Sequence, residues 1–397
     1  MVRQDWILSK VKTLMAEYLA DILIEADKPR RKFLRQALGA ILISGSLIVS
    51  EFGRWIHDDC SDIFYRIKRL LNHLVSPQAP MASIVQAYRK AMARQIQPDT
   101  PMIIDLTDLA KPRARKMEYL ALVRDGSEGK LVPGYWCVEV YAHLKGKRIL
   151  PLALDVFSVE DPGVGSQNLQ IVRTVQAVNE ALEGKGIWIA DRGFDGLNLY
   201  EMWFSLACHF VVRQRGDRCV VVDQQRKIVL ADLVERLYHY QVHQGNSSRI
   251  VFCSVRLPDH NQLLYVVAHY RSGYDQPLML LTNLVVQTPQ QAGTILSYYH
   301  QRWACEEASQ FLKSRVGFES FRIRRYVAIQ RLAILAMLAM GFLSWILLRN
   351  QVVVSTLFGY TSRFRKKSEF CYYRLLDSLQ EFARVYPLQP QKILFFP

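Results

Sequence analysis

Four residues whose side chains bind phosphate or metal ions occur at regular spacings in the segment YYHQRWACEEASQFLKSRVGF. They are Tyr299, Arg302, Glu306 and Lys313, separated by three, four and seven positions. At about 100° per residue in an α-helix, they fall at roughly 0°, 300°, 340° and 320°, which predicts one narrow stripe on a helix. A carboxylate beside a tyrosine, an arginine and a lysine suits a surface that holds a phosphodiester next to a metal ion. The stripe therefore indicates polynucleotide chemistry.

Two more carboxylates stand next to predicted strands. Asp105 follows the apolar run Met102–Ile104 in a first strand, and Asp191 ends a fourth strand at Ile187–Ala190. Open α/β sheets bind ligands at the carboxyl ends of their parallel strands, and we expect the first and fourth strands to be neighbours. With Glu306, these acids would form the oxygen-rich site that two Mg²⁺ ions require for phosphoryl transfer.

Each acid also has a structural interpretation, because an acid at a strand end is commonly a cap or an ion-pair partner. Asp108 is a rival of Asp105, although we expect it to be a turn residue at the strand end. Glu307 lies beside Glu306 but about 100° away around the helix. Asp195 is expected to be structural and to cap the helix that begins near Leu197.

The overall charge predicts a polyanionic partner. The chain of 397 residues has 51 Lys and Arg against 36 Asp and Glu, a formal net charge of +15. Part of the excess lies next to the predicted stripe, where residues 313–367 contain eleven basic residues and one acid, Glu319. Nucleic acid is the natural partner for such a distribution. The alternative is a basic surface that serves solubility alone.

The sequence pattern predicts an α/β fold with five regions. Residues 1–98 are predicted to form helices and a DNA-binding region. Residues 99–215 are predicted to form three strands, a helix, a fourth strand, a second helix and a further strand. Residues 216–287 read as a β-rich insertion, since the segment is too long for a loop. Residues 288–350 complete the core with the Glu306 helix and a buried apolar helix, and residues 351–397 form a basic helical tail.

One N-terminal helix is a candidate for reading DNA. After a turn at residues 58–61, with Ser61 as the helix cap, we predict an apolar face made of Phe64, Ile67, Leu71 and Leu74. The outward residues would be Tyr65, Arg66, Lys68, Arg69 and Asn72, and Arg66 and Arg69 are the predicted DNA contacts. A bundle helix with a basic solvent face fits the pattern equally well.

Two apolar runs and the cysteines bear on the class of protein. Leu38–Val49 is too short to span a bilayer and predicts a buried helix and turn. Leu332–Leu348 has seventeen uncharged residues, for which we expect a core helix, with a membrane helix as the alternative. The seven cysteines include no C-x-x-C pair, so zinc is not predicted. Because no secretory signal is visible at the N-terminus, we expect a cytoplasmic protein.

The spaced residues resemble a known family. Tyr299-x-x-Arg302-x-x-x-Glu306-x-x-x-x-x-x-Lys313 is similar to the YREK signature of bacterial insertion-sequence DDE transposases of the fourth insertion-sequence family. The segment ADRGFD resembles the second-aspartate motif of that family and IIDLTD the first. The resemblance covers about residues 100–350.

The resemblance implies a cut-and-paste transposase with a ribonuclease H-like core. Asp105, Asp191 and Glu306 would hold two Mg²⁺ or Mn²⁺ ions, and Tyr299, Arg302 and Lys313 would contact phosphates at the element's terminal inverted repeats. Double-stranded DNA is the implied partner, bound by a homodimer. Three alternatives stay open: a ribonuclease H-like nuclease that cuts without joining, a catalytically silent DNA-binding derivative of a transposase, and a membrane protein built on the apolar helix.

Overall fold

The computed structural model describes residues 2–56, 62–77, 81–126, 129–146, 148–222, 226–244, 248–361 and 370–385. Helices and a mixed sheet make up this α/β fold, as the sequence predicts for the fold class. The chain divides into two compact units. The first unit comprises Met1–Gln95, Leu106–Leu182 and Cys305–Pro397, and the second comprises Ile96–Asp105 and Glu183–Ala304. These units do not follow the contiguous regions predicted from the sequence.

The secondary structure is numbered in chain order. The α-helices are α1 Val2–Ile22, α2 Lys28–Ser44, α3 Val49–Phe52, α4 Ile63–Val75, α5 Ala82–Ala93, α6 Gln167–Ala181, α7 Leu197–Ser205, α8 Leu230–His243, α9 Pro289–His300, α10 Trp303–Phe311, α11 Tyr326–Arg349, α12 Gln351–Phe358 and α13 Cys371–Val385. The strands are β1 Pro101–Ala110, β2 Ala121–Arg124, β3 Leu131–Leu144, β4 Arg148–Phe157, β5 Ile187–Ala190, β6 His209–Arg213, β7 Cys219–Val222, β8 Arg226–Val229, β9 Ile250–Val255, β10 Leu264–His269 and β11 Leu278–Thr282.

The second unit is built on a mixed sheet. The first half of β1 pairs in parallel with β5, and β5 pairs in parallel with β6. β11, β10 and β9 then follow in that order with antiparallel pairing. β5 is buried along its whole length, which matches its continuous apolar sequence IWIA. The expectation that the first predicted strand and the strand before Asp191 are neighbours is therefore confirmed.

The first unit surrounds the long apolar helix α11. α11 packs against β4, which forms an antiparallel hairpin with β3, and against α2. It is the one described helix that is long and apolar enough by itself to cross a membrane, and 89% of its most apolar 18-residue window is buried. Burial on all sides is typical of a helix at the centre of a core. The structure thus agrees with the core helix expected at Leu332–Leu348.

The N-terminal region is helical, as predicted, but the buried face of α4 differs from the prediction. Phe64 is 77% exposed, whereas Leu70 and Leu74 are buried. The described N-cap is Asp62, whose carboxylate accepts a hydrogen bond from the Phe64 N–H at 2.8 Å. The predicted turn at residues 58–61, including Ser61, lies outside the described residues.

The four spaced residues do not share one uninterrupted helix, so the predicted stripe is wrong in its geometry. α9 ends at His300, and the N–H groups of Gln301, Arg302 and Ala304 donate to carbonyls three residues back rather than four. This tight turn resets the helical phase before α10 begins at Trp303. Lys313 then lies in a π-helical turn at Leu312–Val316.

The predicted β-rich insertion has a different organisation in the structure. β9, β10 and β11 belong to the same sheet as β5 and β6, and β7 and β8 form a separate two-stranded sheet. The β-rich prediction did not include the helix α8, where Leu230, Leu233 and Val234 form a buried stripe with helical spacing. In the tail, α12 and α13 are helical as expected. The basic residues Arg363, Arg365, Lys366 and Lys367 lie outside the described residues.

Candidate functional site

Asp105 and Asp191 follow neighbouring parallel strand segments in the second unit. The register pairs Ile103 with Ile189 and Ile104 with Ala190, so the next residue in each segment is an aspartate. Residues in register on adjacent parallel strands point to the same face of the sheet, and adjacent strands are about 4.8 Å apart. Asp105 and Asp191 each follow a residue of the last register pair, so the paired strands bring their backbones close together.

Asp191 begins a tight turn and lines a cavity. Its backbone is extended, with φ −82° and ψ −177°, and its Oδ1 accepts a hydrogen bond from the Gly193 N–H at 2.7 Å. A Cβ at Gly193 would lie 2.9 Å from that oxygen, so the turn requires glycine there. The cavity has a volume of about 560 Å³, and its lining includes Arg192, Arg213 and Arg215. A carboxylate beside three arginines is an arrangement that fits a phosphate ligand and a cation together.

Arg302 lies close to Asp105. Its Nη1 is 3.8 Å from Asp105 Oδ2, and the two side chains are 16% and 28% exposed. The guanidinium therefore balances part of the negative charge in this structure. Tyr299, three residues earlier, is only 8% exposed and belongs to the buried face of α9.

Asp108 is part of β1 and not a turn residue, so this expectation was wrong. Because it lies three residues after Asp105 in the same strand, its side chain points to the opposite face of the sheet. Its Oδ1 accepts a hydrogen bond from the Gly126 N–H at 3.3 Å. Asp108 therefore does not compete with Asp105 for a ligand on that face.

Glu306 and Lys313 belong to the first unit. Glu306 is half-buried in the first turn of α10, and Glu307 beside it is also half-buried. The ammonium of Lys313 lies 2.8 Å from Glu319 Oε1 and donates to the Asp108 carbonyl at 2.9 Å. Burial alone would lower the pKa of Lys313, but the hydrogen bond to Glu319 and the nearby acids outweigh it and raise the pKa. Lys313 is therefore a charged lysine held by protein partners.

A buried acid that the sequence prediction missed supports α10. Glu139 of β3 is fully buried, accepts a hydrogen bond from the Tyr141 hydroxyl at 3.1 Å, and lies 3.4 Å from Ser309 Oγ. Burial, reinforced by the charge of Glu139, raises the pKa of Tyr141. Ser309 lies three residues after Glu306, so Glu139 helps to fix the helix that carries that acid. The apolar surroundings of Glu139 in YWCVEVYAHL are the sequence signal that could have identified it.

The donor chemistry at Asp105 and Asp191 fits a hard divalent cation, since carboxylate oxygens are the ligands that Mg²⁺ prefers. Glu306 belongs to the other unit. Across the described ranges, no group of three or more His, Cys, Asp or Glu side chains is arranged to hold a metal ion. The structure thus places two of the three predicted ligands directly after the paired residues Ile104 and Ala190 of neighbouring strands.

Arg66 and Arg69 make contacts within the first unit, although both were expected to point outward. Arg66 Nη1 donates to the Ile56 carbonyl at 2.6 Å, and Arg69 Nη2 donates to Gln36 Oε1 at 2.8 Å. Burial lowers the pKa of Arg69. Because Leu70 is on the buried face, Arg66 and Arg69, four and one residues before it, lie within about 100° of that face rather than opposite it. Their role in DNA binding stays a prediction.

Asp195 is structural, but it does not cap α7. The N-cap of α7 is Gly196. Asp195 Oδ1 instead accepts a hydrogen bond from Arg218 Nε at 2.6 Å, and Oδ2 accepts from the Arg215 N–H at 3.2 Å. The carboxylate therefore ties the turn after Asp191 to the segment after β6.

The chain was compared with protein-family models, solved structures and curated proteins. A family model described as the transposase DDE domain matches residues 98–342. Among solved structures, the chain is similar to a cryo-EM structure of a piggyBac transposase synaptic complex with hairpin DNA, with 12% sequence identity, a TM-score of 0.48, and coverage of 96% of this chain and 78% of that chain. No match was found among the curated proteins. The span of the family match contains Asp105, Asp191 and the whole segment from Tyr299 to Lys313.

Proposed function

Because the chain belongs to the transposase DDE domain family, we propose that it is a cut-and-paste transposase that cleaves and joins DNA at the ends of its own element. The observation that carries this proposal is the placement of Asp105 and Asp191 directly after the last register pair, Ile104 and Ala190, of two neighbouring parallel strand segments. The YREK spacing of Tyr299, Arg302, Glu306 and Lys313 supports the assignment to the fourth insertion-sequence family. A ribonuclease H-like core is part of the proposal, supported by antiparallel β3 and β4 and parallel β1 and β5.

Asp105, Asp191 and Glu306 are the residues that would hold two Mg²⁺ or Mn²⁺ ions. When bound, such ions activate a water or 3′-hydroxyl as the nucleophile and neutralise the leaving oxygen. The protein contributes orientation: the Gly193 N–H fixes one oxygen of Asp191. The support for Glu306 is its spacing in the YREK pattern and the anchoring of α10 by Glu139.

Cationic side chains would hold the DNA backbone. Arg302 lies 3.8 Å from Asp105 and would contact a phosphate, which arginine recognises in a bidentate manner. Arg213 and Arg215 line the cavity beside Asp191, and we assign them to the same role. Lys313 would exchange Glu319 for a phosphate oxygen. The DNA is double-stranded, carries the element's terminal inverted repeats, and is bound by a homodimer in this proposal.

The test uses DNA that carries the inverted repeats flanking the coding region, with Mg²⁺ or Mn²⁺. Wild-type protein is expected to nick and join strands, whereas Asp191→Asn and Glu306→Ala bind the DNA but lose at least about 100-fold in both reactions. The asparagine keeps the oxygen that accepts from Gly193, so the turn is preserved. Gel analysis of labelled strands separates nicking from joining.

The matched control is Glu307→Gln, which neutralises the adjacent acid about 100° away around α10. This variant should retain wild-type nicking and joining. Full activity of Glu306→Ala would contradict the assignment of that residue. Nicking without joining by the wild-type protein would instead favour a nuclease.

A further inference from the structure

A second charged cavity lies in the first unit, between the loop after β1 and the segment after the π-helical turn. Its volume is about 600 Å³. We call it the basic groove and define it by its lining residues, which are Ala110, Lys111, Pro112, Arg113, Ala114, Arg115, Lys116, Met117, Glu319, Phe321, Arg322 and Arg324. Six of these residues are cationic and one is acidic.

Four exposed cations around the groove have no protein partner. Within the part of the chain that the structure describes, Arg113, Lys116, Arg322 and Arg324 form no side-chain hydrogen bond or ion pair. The acid of the lining, Glu319, is already paired with Lys313 at 2.8 Å. Like charges gathered in this way repel one another and create a strong positive potential, which attracts an anionic ligand.

Other groups hold the two walls of the groove together, so the side chains of these four cations are not needed for that purpose. Lys111 is buried, and its ammonium donates to the carbonyls of Glu319 and Phe321, the latter at 2.9 Å, and lies 3.5 Å from the centre of the Phe321 ring. Burial lowers the pKa of Lys111 to about 8 despite the charge of Glu319. The Glu118 N–H donates to the Arg324 carbonyl at 3.0 Å. The groove is therefore a built cavity rather than a chance approach of two loops.

The side chain of Arg115 forms hydrogen bonds within the loop after β1. Its Nη1 donates to the carbonyls of Pro112 and Ala114 at 3.1 and 2.9 Å. The ligand-binding capacity of the groove thus resides in Arg113 and Lys116 on one wall and in Arg322 and Arg324 on the other. The apolar residues Met117 and Phe321 also line the groove.

We propose that the basic groove binds the phosphodiester backbone of DNA and forms a contact surface additional to the carboxylate site. Several separate cations beside the apolar side chains of Met117 and Phe321 suit the repeated phosphates and intervening sugars of a nucleic acid strand. Glu319 lines the groove and holds Lys313, so a strand in the groove passes next to that lysine. The identity of the polyanion as DNA rests on the proposed function.

The experiment measures affinity for a short labelled DNA duplex of arbitrary sequence, without divalent metal, over a series of salt concentrations. Arg322→Gln/Arg324→Gln and Arg113→Gln/Lys116→Gln each remove two cations from one wall. For each variant, the slope of the logarithm of the binding constant against the logarithm of salt concentration should become shallower by about 1.8, which is 0.9 per lost phosphate contact. Fluorescence anisotropy provides the binding constants, and circular dichroism confirms folding.

The matched control is Arg226→Gln/Lys227→Gln, which removes the same charge from two exposed residues of β8. Its slope should equal that of the wild-type protein. An equal loss in the control and in the groove variants would show that net charge alone is responsible and would overturn the inference. Displacement of the labelled DNA by polyglutamate as effectively as by unlabelled duplex would overturn the assignment of the ligand as DNA.

The two proposals fail in different ways. If wild-type protein nicks and joins element ends but both groove variants keep the wild-type salt slope, the groove inference is overturned and the proposed function stands. If the groove variants lose slope as expected but wild-type protein neither nicks nor joins, the proposed function fails and the groove remains a DNA-binding surface.

Discussion

Asp191 and Asp195 lie four residues apart but have different surroundings. Asp191 is half-buried beside a cavity, where Arg192, Arg213 and Arg215 are also located. The side chain of Asp195 is only 2% exposed and is paired with Arg218, which is 10% exposed. A carboxylate that is buried against a fixed arginine has no room for a ligand, whereas one on a cavity wall does. The motif DRGFD therefore combines one candidate ligand with one structural acid.

The buried pair yields a prediction for stability. Asp195→Asn leaves the Arg218 guanidinium buried without its anionic partner, so the free energy of unfolding should fall by about 3 kcal/mol. Urea unfolding followed by circular dichroism measures the change. Lys185→Gln is the control, because its ion pair with Glu183 is exposed and should contribute less than about 0.5 kcal/mol. Equal changes in the two variants would argue against a structural role for Asp195.

Some residue assignments could be made from the sequence and others could not. The end of β5 could be predicted, because the buried strand and the apolar run IWIA both end at Ala190, directly before Asp191. The prediction for Asp108 failed because β1 continues to Ala110, and a strand end cannot be read from a run of mixed residues. Arg66 and Arg69 were assigned outward because the predicted apolar face of α4 included Phe64, which is exposed, and omitted Leu70, which is buried.

At the level of elements, α11 depends on one close approach to the N-terminal helices. A Cβ at Gly341 would lie 2.5 Å from Tyr88 Oη and 2.6 Å from Tyr18 Oη. Both tyrosines are buried, and their hydroxyls donate to the carbonyls of Pro151 and Leu338 at 2.6 and 2.7 Å. Glycine at this position therefore allows two buried hydroxyls to keep their hydrogen bonds against the helix.

This packing predicts that Gly341→Ala is destabilising, although alanine is the better helix former. The added methyl group must displace at least one tyrosine, so the free energy of unfolding should fall by about 1 to 3 kcal/mol. Gly293→Ala in α9 is the matched control, since no atom lies within 4 Å of its added Cβ. It should raise stability by about 0.5 to 1 kcal/mol. A stabilising effect of Gly341→Ala in thermal unfolding would refute the close contact.

Element boundaries show the limit of helical periodicity. The four spaced residues predict a single helix only if all residues between them advance by 100°, and the turn at Gln301–Arg302 and the π-helical turn break that condition. The predicted DDE transposase family agrees with the family model that matches residues 98–342. The residue spacing that suggested it does not depend on helix continuity, so the prediction of relatedness and the prediction of a single helix have separate outcomes.

At the level of the whole molecule, the proposed metal ligands predict that divalent ions stabilise the fold. If Asp105, Asp191 and Glu306 hold divalent ions, Mg²⁺ binds the folded chain and not the unfolded one. At about 100 times its dissociation constant, Mg²⁺ should then stabilise the protein by about 2.7 kcal/mol and raise the melting temperature. Differential scanning fluorimetry at constant ionic strength, with NaCl as the reference salt, measures the shift.

The same measurement on variants identifies the origin of the shift. Asp191→Asn should lose most of the Mg²⁺ stabilisation because it lacks one carboxylate charge, while Glu307→Gln should keep it. A shift of equal size in wild-type protein and Asp191→Asn would place the bound ion elsewhere. This outcome would leave the family membership intact and remove the support for these metal ligands.

The sequence by itself predicted the α/β fold class, the adjacency of the strand segments before Asp105 and Asp191, the burial of α11 and the transposase DDE family. The fold class and the buried helix follow from local apolar patterns. The strand adjacency and the family were predicted from the resemblance of the strand order and the residue spacing to known proteins. Only the tertiary structure decided that β9, β10 and β11 extend the core sheet and that Asp195 pairs with Arg218. It also decided that the loop after β1 (residues 111–116) and the segment after the π-helical turn enclose the basic groove. Each of these depends on residues far apart in the chain, and their pairing is set by packing and charge in three dimensions.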